Sequence, residues 1–301
     1  MQFSLITPAY NRNDCIVNCI NSVAEQLSEF DDFEQIIIND GSSDGTLRQI
    51  RELEKRFTFL KVISYANNAG VNYARNRGID LASGDFIIFL DSDDTLNKGM
   101  LKRISDEVNR QKSYKHFLFK VSSNNDENIS KGELTYEDIL LGKVHGDYLH
   151  IVKSSFLKTY QFFEEFRAFE GLNWLRVIKV TQPLAIIPIQ AVTVNIRNSD
   201  SLSRKIYKSV DHHVLLENFK AKSLFLKLYG MDLKRNSSKM FYRNVLLLFI
   251  TGLRSKQFEQ NCTLISEHLP NKVIQKLALL FNNKITSYLI SRIYLIKYSF
   301  E

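Results

Sequence analysis

Cysteine is scarce in this chain. Three in 301 residues, Cys15, Cys19 and Cys262, are too few and too scattered for a disulfide framework. Cys15 and Cys19 have the spacing of one helix face and read as small core residues; a metal pair would want a second Cys or His pair close by, and none is there. A reducing, cytoplasmic setting fits such a chain. Long apolar runs are missing as well. No stretch reaches the roughly 18 uninterrupted apolar residues of a spanning helix, so no membrane crossing is expected. The opening MQFSLITPAYNR has too short an apolar run, and no basic leader, for a secretory signal. Internal repeats, low-complexity tracts and recognised nucleic-acid modules are lacking too, which sets nucleic acid aside as a partner.

What is present is an ordinary globular composition, 44% hydrophobic and 24% charged, long enough for one large domain or two modest ones. Charge is unevenly placed. Residues 206–301 hold 15 Lys and Arg against 6 Asp and Glu, a net of +9, while the first 205 residues carry −2. Solvated helix faces explain such an excess, and so does an anionic partner such as a phospholipid surface or a lipid-linked phosphate.

Along the chain, FSLITPAY reads as a strand stopped by Pro8, and NDCIVNCINSVAEQ as a helix with Ile16, Cys19, Ile20 and Val23 on one face. FEQIIIND is a second strand closing in GSSDGT, where Ser42 or Ser43 is placed to cap the next helix, LRQIRELEKRF. LKVISYA is a third strand, a helix follows from Gly70, and GDFIIFL is a fourth strand before the helix GMLKRISDEVNRQ. KHFLFKVSS and LAIIPIQAVTVNI read as later strands, LHIVKSSFLKTY as a strand and short helix, and the chain from 206 as helices. Near-continuous apolar strands alternating with helices predict an α/β fold, a mostly parallel sheet covered on both faces, followed by a helical C-terminal region.

In such sheets ligands bind beyond the carboxyl ends of the strands. Pro8-Ala9-Tyr10, Asp40-Gly41, Asn67-Asn68 and Asp91-Ser92-Asp93 all fall there. The stretch FIIFLDSDDT crowds Asp91, Asp93 and Asp94 at the end of a buried strand, a costly arrangement unless something positive neutralises it. Asp91 and Asp93, either side of Ser92, can turn to one divalent cation, for which Mg²⁺ or Mn²⁺ has the right preference for hard oxygen ligands; solvated turn acids are the plainer reading. Asp40 reads either as a turn residue before Gly41 or as an acceptor for a base N–H or a ribose hydroxyl, with Tyr10 offering a flat apolar face beside it. Arg75 is a donor near the same edge or a helix charge balancing Asp80; Arg77 faces another way and reads as structural.

LITPAYNR, IIINDGSSDGT, NNAGVNYARNRGI and GDFIIFLDSDD, taken in order, resemble the successive signatures of family-2 glycosyltransferases of the GT-A fold, strongly over residues 1–100 and fading through about 205. The resemblance implies a catalytic domain over 1–205, with a nucleotide-sugar half (1–112) and an acceptor half (113–205), and a helical region over 206–301. It implies a UDP-sugar donor, a bridging Mn²⁺ or Mg²⁺, and inversion of the anomeric centre. Pro8, Tyr10 and Arg12 would line the nucleoside pocket, Asp40 would contact uracil, and Asn68 and Arg75 would face the nucleotide or sugar. Asp91 and Ser92 would lie at the ribose and metal, with Asp93 the direct metal ligand. The family's catalytic base is often the second acid of a Glu-Asp pair before a helix; here FRAFEGLNW offers Glu170 followed by Gly171. Glu170 is taken as the base, with Glu164, Glu165 and Asp147 in reserve, the alternative being a helix-start acid favoured by the dipole. NIRNSDSLSRK resembles a loop that closes over the diphosphate; Arg197, Ser201, Ser203 and Arg204 would serve there, with Asn198 where many members have a His. An interdomain turn is the plainer reading of that loop. His145 and His150 read as structural or acceptor-side.

Surface-polysaccharide assembly is the implied setting, with a glycan or lipid-linked oligosaccharide acceptor. The C-terminal helices would pack on the catalytic domain, mediate a homo-oligomer, or lie on the cytoplasmic face of the inner membrane. Two other functions compete. A sugar-1-phosphate nucleotidyltransferase would need a Gly-rich basic loop after the first strand, and TPAYNRND has no glycine. A non-catalytic nucleotide-sugar-binding scaffold gains from the missing acid at Gly171.

Overall fold

Residues 2–123, 132–144, 146–166, 169–195, 211–255 and 257 are described by the computed structural model. The chain divides into two compact units, Met1–Ile196 and Arg197–Glu301.

The first unit is built from alternating strands and helices. They run β1 (Phe3–Ala9), α1 (Ile16–Ala24), β2 (Phe33–Asp40), α2 (Thr46–Glu54), β3 (Leu60–Tyr65), α3 (Val71–Leu81) and β4 (Phe86–Phe89). Next come β5 (Thr95–Leu96), α4 (Met100–Arg110), β6 (His116–Val121), β7 (Gly132–Leu134), α5 (Tyr136–Leu140) and β8 (Tyr148–Lys153). The unit closes with α6 (Ser154–Thr159), α7 (Glu170–Thr181) and β9 (Leu184–Thr193). One sheet joins the strands in the order β3-β2-β1-β4-β8-β6-β9-β5, with β7 on β9. The first four are parallel, as the apolar runs predict. The later half mixes hands: β8 runs antiparallel to both β4 and β6, while β6 and β9 are parallel.

Every residue of β2 is buried, which requires cover on both faces. Side chains alternate accordingly. Phe3, Leu5, Ile37 and Ile88 pack with Ile16, Ile20, Ile50 and Ile104 from α1, α2 and α4. Ile6, Ile36, Ile38 and Phe89 pack on the other face with Ala74 and Ile79 of α3, Leu157 of α6 and Val177 of α7. α3 lies close on the sheet because Gly78 sits over β1; a Cβ there would come 2.4 Å from Ile6 Cγ2.

At the amino ends of the strands, a buried carboxylate ties three segments. Glu34 accepts from Ser4 Oγ (2.6 Å), Lys61 Nζ (2.5 Å) and the Ser83 amide (2.7 Å). At the opposite ends, β1 sends the chain outward to β2 and β3 on one side, while β4 opens the other. That reversal leaves a crevice beyond the carboxyl ends of β1 and β4, where ligands of such sheets bind.

The second unit contains α8 (His212–Asn236) and α9 (Ser238–Arg254). They pack on one another through residues such as Gly230, which lies against the Phe241 ring, and Lys234, whose ammonium sits 5.5 Å from that ring's centroid. Among the described residues no helix is long and apolar enough to cross a membrane.

Candidate functional site at the strand carboxyl ends

Two loops make the floor of the crevice, and they are stitched together by short polar side chains. Asn11, just past β1, adopts the left-handed region at φ 52°. Its amide donates to Ser42 Oγ (3.0 Å), and its side-chain oxygen accepts from the Ser43 amide (2.9 Å). The Arg12 amide donates to Thr46 Oγ1 (2.8 Å). Ser42 and Ser43 therefore bind the β1 loop instead of capping α2, whose first amides are served by Asp44 Oδ1 accepting from Thr46 N (3.0 Å). Gly41, at φ +71°, lets the β2 loop press on the next one; a Cβ there would meet the Asn67 carbonyl carbon at 2.6 Å. Tyr10 stands on this floor 44% exposed, beside a half-buried Pro8.

Asp40 is buried at the end of β2. Its two oxygens accept from the amides of Ala69 (2.9 Å) and Gly70 (2.8 Å), fixing the approach to α3. Asn68 donates from Nδ2 to the Asp40 carbonyl at 3.4 Å. Each carboxylate oxygen keeps a second lone pair, so Asp40 can still accept from a ligand.

The acid turn follows β4. Asp91 is about half exposed and Ser92 is buried. On the far side β5 pairs with β9, and Asp94 accepts from the Asn195 amide at 3.1 Å, so the turn is held at both ends. Burial pushes the Asp94 carboxyl up to about 7, and the negative charges of Asp91, Asp93 and Asp147 add to the push. Positive charge comes from two arginines. Arg12 Nη2 lies 4.0 Å from Asp93. Arg75, 5% exposed, places Nη2 3.1 Å from Asp91 and Nη1 2.6 Å from Glu170. Burial alone would lower the Arg75 pKa, but the charges of Glu170 and Asp91 outweigh it and raise it.

Glu170 is the first residue of α7. Phe169 before it takes the left-handed region at φ 67°, turning the chain sharply into the helix. Gly171 is exposed, and a Cβ built on it meets nothing within 4 Å. Glu164 is engaged elsewhere, accepting from Asn76 Nδ2 (2.8 Å) and pairing with Arg77 (3.2 Å). Beneath Glu170, Trp174 of α7 stacks on His150 with centroids 3.7 Å apart. His116 and His150 touch at 2.8 Å. Thr181 Oγ1 donates to the Val177 carbonyl, so it accepts from His116 Nδ1–H; His116 Nε2 then accepts from His150 Nδ1–H. Both rings are neutral: burial holds His116 down to about 3, and burial, His116 and Arg75 hold His150 well below its ordinary value.

The strand ends thus bring Asp91, Arg75 and Glu170 into direct contact, set Asp93 near Arg12, and join Asp40 to the Asn68 loop. Arg75, expected from the sequence to face the nucleotide or sugar, meets the two acids at this same edge. Arg197, Ser201, Ser203, Arg204, Asn198 and His145 lie outside the described residues, as does the segment 258–301. Sequence reasoning passed over Asn72 and Asn76, which α3 uses to grip the segment before α7. Two asparagines four apart inside a helix were the available signal, because that residue type favours side-chain to backbone bonds over helix interiors.

Comparison with known proteins places this arrangement. The chain is 31% identical over 189 residues to GalNAc(5)-diNAcBac-PP-undecaprenol beta-1,3-glucosyltransferase of Campylobacter jejuni, covering 59% of this chain and 60% of that one. It therefore spans less than two thirds of that relative's length. Its backbone resembles S. aureus TarS 1–349, solved with UDP-GlcNAc, at a TM-score of 0.60 with 19% identity, covering 86% of this chain and 84% of the other. It also resembles the mannosyltransferase PcManGT of Pyrobaculum calidifontis, solved with GDP-Man and Mn²⁺, at a TM-score of 0.56 with 13% identity, covering 98% and 85%. Those two likenesses speak for the GT-A fold. The model of the family described as Glycosyl transferase family 2 matches residues 4–161, a span holding all four strand ends, the acid turn and Arg75. The chain belongs to glycosyl transferase family 2.

Proposed function

We propose that this protein is an inverting glycosyltransferase. It moves a hexosyl or N-acetylhexosaminyl group from a UDP-sugar to a hydroxyl of a glycan or lipid-linked acceptor, in the synthesis of cell-surface polysaccharide. The observation that carries the reading is the contact of Glu170 and Asp91 through buried Arg75, beyond the strand carboxyl ends of a family-2 chain. Support for the substrate class comes from the relatives: the C. jejuni protein's name specifies an undecaprenol-linked acceptor, and TarS was solved with UDP-GlcNAc.

Pro8 and Tyr10 offer flat apolar walls to a base, Arg12 a charge at the pocket's edge, and Asp40, with Asn68, an acceptor against it. Asp93 and Asp91 would hold Mn²⁺ or Mg²⁺. The donor set is oxygen only, which fits a hard divalent ion, and such an ion would share the two carboxylates with Arg12 and Arg75. Among the described residues no three acidic, His or Cys side chains converge to hold a metal by themselves, so such an ion would share ligands with the donor's phosphates. Bound there, it would neutralise charge on the departing diphosphate. Arg197, Ser201 and Ser203 are proposed to close over that group.

Glu170 is the proposed base, taking the acceptor proton as the hydroxyl attacks. One displacement from the face opposite the diphosphate inverts the anomeric centre. Glu170 shares Arg75 with Asp91 of the acid turn, whereas Glu164 meets Asn76 and Arg77, and that difference argues for Glu170 over that reserve. The protein is proposed to work in the cytoplasm at the inner membrane face, where a lipid-linked acceptor would be met, and to self-associate through its C-terminal helices. The test is UDP release from a panel of UDP-sugars with Mn²⁺ and a lipid-linked acceptor extract. Release with one donor, lost in Asp93→Ala and Glu170→Gln, supports the reading. UDP binding without turnover of any pair would instead favour the scaffold, a reading that rests on the missing acid at Gly171.

A further inference from the structure

The segment that carries the chain from α6 into α7 has no regular structure of its own from 160 to 166. Its backbone groups are held by side chains, and α3 supplies most of them. Asn76 gives it three bonds: Nδ2 donates to the Phe162 carbonyl (2.9 Å) and to Glu164 (2.8 Å), and Oδ1 accepts from the Phe162 amide (2.8 Å). Asn72 donates to the carbonyls of Phe163 (3.0 Å) and Phe166 (2.7 Å). From α7, Asn173 Oδ1 accepts from the Phe163 amide at 2.8 Å. Both α3 asparagines are 1% exposed. Between them on the same helix, Arg75 lies against the Phe89 and Phe162 rings, 5.6 and 5.7 Å from their centroids, and reaches Asp91 and Glu170.

We propose that Asn72, Arg75 and Asn76 are positioning residues: this face of α3 holds residues 160–166 through the asparagines and Glu170 through Arg75, so that Glu170 stands opposite the acid turn. The inference rests on the proposed roles of Glu170 and the acid turn. It assigns Arg75 to the alignment of two carboxylates instead of to the donor. A planar fork can hold both acids in fixed register, which the single ammonium of lysine cannot.

Trp174 gives a readout that needs no turnover. It is the chain's single tryptophan, and it lies one turn from Glu170 on α7, stacked on His150. The experiment measures kcat, donor KM, UDP affinity by calorimetry and acrylamide quenching of Trp174 in Asn76→Ala, Asn72→Ser and Arg75→Lys. Misplacement of a reacting group by an ångström costs about 100-fold. The expected result is a kcat loss of about 10- to 100-fold in Asn76→Ala and Arg75→Lys, with KM and UDP affinity changed less than about threefold. Trp174 is expected to become more open to quencher in Asn76→Ala. A loss carried by KM or by UDP affinity in Arg75→Lys would overturn the proposal and return that residue to the donor. So would wild-type kcat and quenching in a folded Asn76→Ala. Asn72→Ser, which removes fewer bonds, decides the same question if Asn76→Ala does not fold. If the wild type transfers no sugar, the proposed function fails, while the quenching of Trp174 still decides whether α3 places α7.

Discussion

Asp93 and Glu170 carry the chemistry of the account, and each can be tested alone. Glu170→Gln keeps size and hydrogen bonding but cannot take a proton. Loss of a general base costs about 10²- to 10⁴-fold, so kcat is expected to fall by that order while donor KM moves little. The missing acid gives a sharper check. Because a side chain at Gly171 would meet nothing within 4 Å, Gly171→Asp is expected to fold with an unchanged melting temperature. With Glu170 as the base, its kcat stays within about threefold of wild type. A large rise in the same assay would mean that the base belongs at 171. At this scale the sequence was half legible. The acid turn announced itself because three carboxylates after a buried strand demand an explanation. The partners of Arg75 did not, since Glu170 is 95 positions away and meets it only through tertiary packing.

Helices and strands were more readable than side-chain partners. Apolar runs in β1, β2 and β4 and the one-face stripe of α1 are local signals, and the structure follows them. The two-residue β5 and the three-residue β7 were not seen, because pieces so short have no periodicity and exist only through pairing with β9. Glu34 was passed over for a related reason: a charge inside an apolar strand is tolerable only with donors that distant segments bring. Burial alone would raise its pKa, but Lys61, Ser4 and Ser83 outweigh that and hold the carboxyl down at about 2. A folded-state value below the unfolded one contributes stability above the unfolded pKa and loses it as pH falls through the folded one. Denaturant melts should therefore show Glu34→Gln less stable than wild type by about 1–2 kcal/mol at pH 7, the gap closing between pH 4.5 and about 2. An unchanged gap at low pH would mean that shape and hydrogen bonding, not charge, hold this joint.

Across the whole chain, charge asymmetry was plain in the sequence, and its purpose was not, because a solvated face and a membrane-facing one use the same lysines. If the net +9 of residues 206–301 serves an anionic surface, the protein should sediment with vesicles containing phosphatidylglycerol at low salt and leave them by about 0.5 M salt. Equal indifference to anionic and neutral vesicles would assign the excess to solvation. The central claim concerns the acid turn as the seat of a cation that holds the donor's diphosphate. Calorimetry of UDP binding, with Mn²⁺ and then with chelator, on wild type and Asp93→Ala, tests it most directly. The account predicts that chelation and the substitution each weaken UDP by about tenfold or more, and that chelator adds nothing in Asp93→Ala. UDP affinity that is the same with and without the ion, in both proteins, would contradict it.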